Sequence, residues 1–227
     1  MQKIVPLSGY SDSVKKQKRW YAFVKRLFDI VVSLVALVVL CPLFLVVSVI
    51  CALDTKGKPL FVQQRMGKDN VPFTVFKFRT MNVAAPREVA THKLENPGQY
   101  ISRVGEMLRR LSIDELPQLI NVFIGNMSIV GPRPVVLTET DLIALRKRNG
   151  ANTVRPGITG LAQISGRDNV TIQEKAWLDG EYAANRSVGL DLKILLKSVG
   201  YVLKSKGVCE GANPRISSCK EKTERSA

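Results

Sequence analysis

The most apolar part of the chain is an uninterrupted block from Ile30 to Leu53 that contains no charged residue. As one straight helix, its 24 residues would extend ~36 Å, enough to cross a hydrocarbon core of ~30 Å. Length alone therefore predicts a single membrane span. A secretory signal peptide fits poorly, because the leader is long, the block exceeds the usual apolar region and no small-x-small cleavage site follows it.

Two features of this block favour a helix that enters the membrane, turns and returns. Pro42 lies near its middle, where the missing N–H bends or breaks a helix, so Cys41 and Pro42 are the predicted membrane turn. Both flanks are basic, and the positive-inside rule would hold both on the cytoplasmic side, which a single span cannot do. The flanking cations are Lys15, Lys16, Lys18, Arg19, Lys25 and Arg26 before the block and Lys56, Lys58, Arg65 and Lys68 after it.

Polar residues in and beside the block have their own predicted partners. Asp29 is expected to pair with Lys25 or Arg26, which lie one turn earlier on the same helix face. Backbone groups freed at the turn must be satisfied inside the membrane, and we expect Ser33, Ser48 or the facing half-helix to bond them.

After the block, two short runs have strand-like patterns, at residues 59–67 and 72–81. In the second run, Lys77 and Arg79 are two positions apart and share one face of the predicted strand. Two interpretations stay open. The run is either an edge strand with solvated cations or a strand that presents a pair of cations to phosphate.

A predicted pair of helices follows. Residues 102–111 have the pattern of a short amphipathic helix. Ser112 and Glu115 have the spacing of a capping box for the second helix, and Pro117 would fall in its first turn. Asp114 and Glu115 therefore lie at or beside a helix N-terminus, where backbone donors and the helix dipole favour anions. Plain capping is the simpler interpretation of the two carboxylates.

Several arginines near these carboxylates indicate an anion site rather than capping alone. An arginine fork matches phosphate oxygens, and proline or glycine fixes the loops that carry several of these residues. The candidate phosphate ligands are Arg109, Arg110, Arg133, Arg155 and Arg167. Two adjacent carboxylates amid such cations could divide the work, with one attacking as a nucleophile and the other holding a metal ion.

Composition and charge limit the classes of molecule that the chain is expected to bind. The chain has 227 residues and a formal charge of +15, which suggests nucleic acid, an anionic membrane or a phosphorylated substrate. No zinc-ligand spacing, helix-turn-helix pattern or aromatic RNA motif supports the first of these, so we expect no nucleic-acid partner. The four cysteines form no disulfide framework, which fits a reducing compartment. The one histidine, His92, lies in a polar stretch and is expected at the surface.

Five short motifs together resemble the small monotopic polyprenyl-phosphate phosphoglycosyl transferases, also called bacterial sugar transferases. Each motif alone is a weak signal, whereas five in this order are highly specific. In chain order they are Lys25-Arg26-Leu27-Phe28-Asp29, Lys77-Phe78-Arg79-Thr80-Met81, Leu111-Ser112-Ile113-Asp114-Glu115-Leu116-Pro117-Gln118, Val130-Gly131-Pro132-Arg133-Pro134 and Arg155-Pro156-Gly157-Ile158-Thr159-Gly160. The likeness extends from about Lys25 to about Gly211.

The resemblance implies an enzyme that moves a sugar 1-phosphate from a UDP-sugar onto polyprenyl phosphate and releases UMP. Asp114 matches the family's nucleophile, which would carry the phosphosugar covalently between two half-reactions. Glu115 matches the second carboxylate of the pair, which is linked to a Mg²⁺ ion. The basic positions expected around the phosphates match Lys77, Arg79, Arg109 and Arg133.

The resemblance also implies a mixed, helix-rich α/β fold, with an N-terminal re-entrant membrane helix and a small cytoplasmic catalytic domain on the membrane surface. The implied location is the bacterial inner membrane, whose lipid is then a partner. The product would begin a lipid-linked glycan such as capsule, exopolysaccharide, O-antigen or glycoprotein glycan, with later glycosyltransferases as further partners. The predicted division is a basic leader at 1–24, the re-entrant element at 25–54, the catalytic domain at 55–210 and a flexible tail at 211–227.

The chain departs from the family at the turn, where Ser-Pro is common and this sequence has Cys41-Pro42. A thiol bonds a freed carbonyl more weakly than a hydroxyl does. Two alternatives to the enzyme are a non-catalytic membrane scaffold, against which the intact Asp114-Glu115 pair argues, and a membrane-anchored nucleic-acid binder. Four further residues match a C-terminal motif of the family: Asp179, Tyr182, Asn185 and Asp191.

Overall fold

Helices dominate the chain, and two small sheets interrupt them. The computed structural model describes residues 19–86, 97–166 and 170–203, so the predicted tail, most of the leader, His92 and Arg167 lie outside the described residues. Within those ranges the helices are α1 (Arg19–Val39), α2 (Cys41–Thr55), α3 (Arg103–Arg110), α4 (Gln118–Ile124), α5 (Thr140–Asn149), α6 (Leu161–Ser165), α7 (Ile172–Asn185) and α8 (Val188–Leu203). The strands are β1 (Leu60–Met66), β2 (Pro72–Phe78), β3 (Ser128–Val130) and β4 (Gly157–Thr159). The predicted mixed, helix-rich α/β fold is confirmed over these ranges.

The apolar block forms two helices, α1 and α2, that meet at a bend of 64°. The break lies at Leu40, and Pro42 follows it in the first turn of α2, where a helix leaves N–H groups unpaired in any case. The exposed Cys41 opens α2. Over the described ranges, neither helix alone is long and apolar enough to cross a bilayer, and only the bent pair together meets that requirement by length and composition. Helix α1 begins at Arg19, inside the segment predicted as leader.

Helix α1 turns a polar face inward and an apolar face outward. Tyr21, Lys25, Asp29 and Ser33 follow at four-residue spacing and therefore share one face. Of these, Tyr21, Asp29 and Ser33 are buried. Ser33, expected to bond groups freed at the turn, instead donates to the carbonyl of Ile30 at 3.1 Å. The outward faces expose large apolar side chains: Phe23, Leu27, Val31, Leu34, Val35 and Val38.

Charged contacts join this polar face to distant parts of the chain. The Asp191 carboxylate in α8 accepts from Lys25 Nζ at 2.7 Å and from the Tyr21 hydroxyl at 2.9 Å. Asp29 accepts the backbone N–H of Ile129 at 3.0 Å. Lys25, one of the partners predicted for Asp29, therefore forms its ion pair with Asp191 instead. The first helix is thus bonded to both the last helix and β3.

The two predicted strand-like runs form β1 and β2, and the structure pairs these strands along their whole length as an antiparallel hairpin. The side chain of Asn121 in α4 covers the other edge of β2. Its Nδ2 donates to the carbonyl of Thr74 at 2.7 Å, and the N–H of Phe76 donates to its Oδ1 at 3.1 Å. A buried side-chain amide therefore takes the place of a neighbouring strand and ties β2 to α4.

Glycines allow the parallel strands β3 and β4 to approach closely. The N–H of Gly131 donates to the carbonyl of Thr159 at 2.8 Å, and the N–H of Gly157 donates to the carbonyl of Pro132 at 2.9 Å. A Cβ atom on either glycine would collide with backbone atoms of the facing segment. The loop at 131–134, which follows β3, is therefore fixed against the start of β4.

The second half of the bent helix pair contributes to the interior of the protein. Val47 and Cys51 of α2 are buried in one cluster with Phe78 from β2 and Leu108 from α3. Helix α2 consequently packs on β2, which carries Lys77, and on α3, which leads into the carboxylate pair.

Candidate active site

Asp114 and Glu115 lie in a tight turn between α3 and α4. Ser112 has a left-handed backbone, with φ of 58°, and a single 3-10 turn follows it. Pro117 then occupies the N-cap of α4. The predicted capping box is wrong, because Ser112 makes no side-chain capping bond and α4 begins only after Pro117. Asp114 is buried, with 7% of its surface exposed, and the two carboxylates precede the helix rather than cap it.

Two cations bind the Glu115 carboxylate. Lys77 Nζ lies 2.8 Å from Oε1, whereas Arg133 binds both oxygens, with Nη2 2.7 Å from Oε1 and Nη1 3.1 Å from Oε2. Burial by itself would raise the pKa of Glu115, but Arg133 and Lys77 outweigh burial and hold that pKa well below its usual range. Glu115 therefore stays ionised at neutral pH and gathers two cations of the kind that bind phosphate.

Three different elements deliver this cluster. Lys77 is on β2, which Asn121 ties to α4 immediately after the carboxylates. Arg133 lies in the loop after β3, between Pro132 and Pro134, whose rings restrict the backbone on both sides. These residues are far apart in the sequence, and contacts of β2 and β3 with α4 help to bring them together.

Arg109 and Arg79 lie where β2 ends. Arg109 Nε donates to Thr80 Oγ1 at 2.9 Å, which links the last turn of α3 to the segment after β2. Arg79 Nε donates to the carbonyl of Lys58 at 2.8 Å, and its guanidinium lies 6.0 Å from the centre of the Phe61 ring. Both predicted phosphate ligands are therefore held at the end of β2 that follows Lys77.

Arg155 lies at the opposite end of α4. Its Nε donates to the carbonyl of Gly125 at 2.8 Å, and Gly125 ends α4 with φ of 101°. Arg26 from α1 bonds the carbonyls of Val122 and Phe123 at this same helix end, at 2.6 and 2.8 Å. Cations at a helix C-terminus satisfy carbonyls that lack intrahelical partners. The structure thus does not bring Arg155 to the carboxylates, which precede the other end of α4.

Glu115 is the candidate metal ligand, beside the candidate nucleophile Asp114. Over the described ranges, no group of three or more His, Cys, Asp or Glu side chains is arranged to hold an ion. Mg²⁺ commonly takes one or two carboxylates and completes its shell with water and substrate phosphates. Asp114 and Glu115 fit that pattern by donor type. Both Glu115 oxygens accept N–H bonds, so a bound ion would share these oxygens with Lys77 and Arg133 or replace some of their bonds.

Sequence reasoning missed a buried ion pair that contacts the backbone of Arg133. Arg146 in α5 and Asp179 in α7 are 7% and 1% exposed, and Arg146 reaches the Arg133 carbonyl. Arg146 stands in a run of basic residues that looks like a solvated helix end. Its spacing of four residues from the apolar Leu142 is the signal in the sequence that points inward.

Known proteins are similar in sequence to this chain along most of its length. A model of the family described as Bacterial sugar transferase matches residues 20–205. The exopolysaccharide production protein ExoY of Sinorhizobium fredii (strain NBRC 101917 / NGR234) is 38% identical over 197 residues, covering 81% of this chain and 87% of the relative. The uncharacterized sugar transferase EpsL of Bacillus subtilis (strain 168) is 40% identical over 186 residues, covering 81% and 89%.

A longer relative carries a name that states a reaction. The UDP-glucose:undecaprenyl-phosphate glucose-1-phosphate transferase of Escherichia coli (strain K12) is 37% identical over 209 residues. The match covers 88% of this chain and 43% of that relative. The chain therefore belongs to the bacterial sugar transferase family, and it is a phosphoglycosyl transferase.

Proposed function

We propose that this chain transfers a sugar 1-phosphate from a UDP-sugar to a polyprenyl phosphate, such as undecaprenyl phosphate, and releases UMP. The observation that carries the proposal is a buried aspartate, Asp114, beside a carboxylate that already holds Lys77 and Arg133. A carboxylate nucleophile amid cations suits a substrate that carries two phosphates. The Escherichia coli relative supports this choice of substrates through its name.

The proposed reaction has two steps that use Asp114 twice. First, a carboxylate oxygen of Asp114 attacks the β-phosphorus of the UDP-sugar. A P–O bond forms to Asp114, the bond from that phosphorus to the bridging oxygen breaks, and UMP leaves with the electron pair. Second, an oxygen of polyprenyl phosphate attacks the same phosphorus, and the Asp114 carboxylate leaves unchanged. One site thus handles two anionic substrates in turn.

The cations around Asp114 have a defined task in this scheme. Lys77 and Arg133 bind an anion already, so a substrate phosphate can take over contacts that Glu115 makes. Arg109 and Arg79, at the end of β2, add positive charge on the same side as Lys77. Mg²⁺ on Glu115 would offset further charge on the transferring phosphoryl group. Together these charges favour a transition state with negative charge spread over the phosphate oxygens.

The bent helix pair is the proposed membrane anchor. Its apolar faces point away from the protein, its polar face points inward, and both flanks are basic. We propose that α1 and α2 enter the cytoplasmic leaflet of the bacterial inner membrane and return, with Cys41 and Pro42 at the deepest point. Both flanks then stay on the cytoplasmic side. The packing of α2 beneath the carboxylate turn would bring the site close to lipid headgroups, where a lipid-borne phosphate lies.

The proposed product is a lipid-linked sugar on which later glycosyltransferases would act. The name of the Sinorhizobium relative associates that protein with exopolysaccharide production. By analogy, the first step of a lipid-linked exopolysaccharide or related glycan is the proposed place of this reaction. A screen of UDP-sugars with undecaprenyl phosphate would identify the sugar by the release of UMP.

The nucleophile is tested by the variant Asp114→Asn, because an amide of the same shape cannot attack phosphorus as a carboxylate does. With the best UDP-sugar from the screen and polyprenyl phosphate, UMP release should fall by at least about 10³-fold. The thermal unfolding temperature should remain close to that of the wild type. The matched control is Asp141→Asn, which changes an exposed aspartate in α5 and should leave turnover unchanged. Near-normal UMP release by Asp114→Asn contradicts the assignment.

The intermediate is tested by intact-mass measurement. Enzyme given UDP-sugar without lipid acceptor should gain the mass of one sugar phosphate and release at most about one UMP per site, as covalent catalysis requires. Asp114→Asn should gain no mass. Kinetics that require both substrates to be bound together, with no adduct on an active preparation, would contradict the two-step scheme.

A further inference from the structure

The backbone of the loop that carries Arg133 is bonded by a charged side chain other than Glu115. Arg146 in α5 donates through Nη1 to the carbonyl oxygen of Arg133 at 2.9 Å. Its Nε and Nη2 both donate to one oxygen of Asp179 in α7, at 2.9 and 2.5 Å. A single guanidinium thereby joins two helices to the backbone of the loop beside the carboxylate pair.

Both members of the Arg146–Asp179 pair are removed from water, with 7% and 1% of their surfaces exposed. Desolvation offsets much of the attraction in such a pair, so its net contribution to stability is small compared with apolar residues of similar size. The pair instead fixes the orientation of the Arg146 guanidinium. A guanidinium is planar and its N–H groups are fixed in a fork, so two bonds to Asp179 determine where the third N–H points.

The bond from Arg146 to the Arg133 carbonyl matters because the loop at 131–134 lacks regular secondary structure. Residues 131–134 belong to neither helix nor strand, and their two prolines have no N–H to donate. Other parts of the chain hold the carbonyls of Pro132, Pro134 and Val135. The bond from Arg146 fixes the carbonyl of Arg133, the residue whose side chain meets Glu115.

We propose that Arg146 and Asp179 are positioning residues for phosphate recognition. They fix the backbone of Arg133 so that its guanidinium faces Glu115 and the diphosphate of the substrate. Neither residue touches the substrate, and both act through Arg133. The inference rests on the proposed function in one respect, namely that Arg133 contacts a substrate phosphate.

Binding of UDP, as a diphosphate ligand, tests the inference without turnover. The full chain in detergent with Mg²⁺ is titrated with UDP by calorimetry. Arg146→Lys keeps a positive charge opposite Asp179 but loses the fork that also reaches the Arg133 carbonyl. We expect Arg133→Met to weaken UDP binding about tenfold, because it removes one charge-assisted contact with the diphosphate. Arg146→Lys and Asp179→Asn should each weaken UDP binding to the same extent, because each leaves Arg133 poorly placed for that contact. In the Arg133→Met background, Arg146→Lys should have no further effect.

The matched control is Asn149→Ala. Asn149 also joins α5 to α7, since its Nδ2 donates to the carbonyl of Ala176 at 2.6 Å. Its loss should lower the thermal unfolding temperature and leave UDP affinity unchanged. A merely structural role for Arg146 predicts additive weakening in the double variant, or an equal loss in Asn149→Ala, and either result overturns the inference.

Failure of the inference can be told from failure of the proposed function. If Arg133→Met weakens UDP binding but Arg146→Lys and Asp179→Asn do not, the positioning role alone is wrong. If the wild type binds no UDP, or if Arg133→Met binds it normally, the proposed phosphate contact is wrong and the positioning role falls with it. Should one of the two positioning variants fail to fold, the other decides the question.

Discussion

Glu115 is paired with two cations of its own chain, and this pairing determines how the site can take a substrate. Lys77 and Arg133 present to Glu115 the same N–H groups that they would present to phosphate oxygens. A diphosphate therefore has to replace Glu115 or share the cations with it. We expect substrate binding to be an exchange of partners, in which Glu115 is freed to bind a metal ion.

The same contacts make stability depend on pH. Burial would raise the pKa of Glu115, but Arg133 and Lys77 outweigh it and lower that pKa well below its usual range. A lowered pKa in the folded state contributes stability above the unfolded-state value of about 4.3, and this contribution is lost as the pH falls through the folded-state value. We expect Glu115→Gln to lower the free energy of unfolding by about 1–3 kcal/mol at neutral pH. The difference from the wild type should shrink below about pH 4.

Chemical unfolding of both proteins in one detergent, from about pH 3 to about pH 8, measures this dependence. Glu106→Gln is the control, because Glu106 is an exposed carboxylate in α3. A difference between wild type and Glu115→Gln that stays the same at every pH would show that the ion pairs with Lys77 and Arg133 do not determine it.

Glu115 is also the residue that we expect to bind Mg²⁺. EDTA should stop UMP release and Mg²⁺ should restore it, because a hard cation suits carboxylate and diphosphate oxygens. Glu115→Gln should remove activity or raise the Mg²⁺ concentration needed for half-maximal rate. The rate is measured against Mg²⁺ concentration for both proteins. Full activity of the wild type in EDTA rules the ion out of the reaction.

At the residue scale, the sequence predicts chemistry better than position. Asp114, Glu115 and Arg133 were recognisable from their types and neighbours, and the structure joins Glu115 to Arg133. Arg155 had the same signal but caps the far end of α4. Helix carbonyls and phosphate oxygens are both acceptors for a guanidinium, so residue type alone cannot distinguish them. Ser112 failed as a cap because its left-handed backbone, invisible in the sequence, turns the chain before α4.

At the scale of elements, the close contact between β3 and β4 depends on residues without side chains. Gly131→Ala would place a Cβ against backbone atoms of the segment that leads into β4, and these atoms cannot rotate away. We expect a loss of about 1–3 kcal/mol in unfolding free energy, the usual effect of overpacking. UMP release should also fall, because the glycine begins the loop that carries Arg133. Chemical unfolding and activity of the same preparation measure both effects.

Gly189→Ala is the matched control for this prediction. Gly189 lies in α8, and no atom lies within 4 Å of the position that a Cβ would take. Alanine should therefore be tolerated there and should stabilise the helix by about 0.5–1 kcal/mol. An equal loss of stability in both variants would mean that the contact between β3 and β4 is not what requires Gly131.

Several elements were predictable from the sequence, but the way the chain passes from one to the next was not. The strand-like patterns predicted β1 and β2 as separate strands, although not their pairing, and amphipathic spacing predicted α3. The bend in the apolar block was expected at Pro42, whereas the chain breaks at Leu40 and Pro42 lies in the first turn of the next helix. A proline tolerates the first turn of a helix, so the break precedes it rather than coinciding with it. The side chain of Asn121, which replaces a strand beside β2, leaves no local signal in the sequence.

At the scale of the whole molecule, the prediction concerns membrane topology. The bent helix pair has outward apolar faces and basic flanks, so we expect both of its ends to face the cytoplasm. Single cysteines at Lys16 and Lys58, in a variant without the four native cysteines, should both resist an impermeant thiol reagent in intact cells. Both should react once the inner face is opened. A cysteine at the exposed Trp177 is the control and should behave like both flanks.

Reaction of one flank alone in intact cells would show a true span. Pro42→Leu removes the proline in the first turn of α2 and should favour a straighter helix, which would move one flank across the membrane. If Pro42→Leu leaves both flanks inside and activity unchanged, Pro42 does not determine the turn. The inward polar face of α1 would then be the remaining determinant.

That polar face has a consequence for the biosynthesis of the protein. Lys25 and Tyr21 bind Asp191, which lies 166 and 170 residues later, and Asp29 binds Ile129, 100 residues later. At ~5–20 residues per second, a ribosome needs about 8–34 s to reach Asp191 from this face and about 5–20 s to reach Ile129 from Asp29. Until then α1 carries an ammonium and a carboxylate without their partners, which is costly at membrane depth. The bent helix pair α1 and α2 should therefore stay at the membrane surface while the chain is being made. Its entry into the bilayer should be among the last events of folding rather than the first.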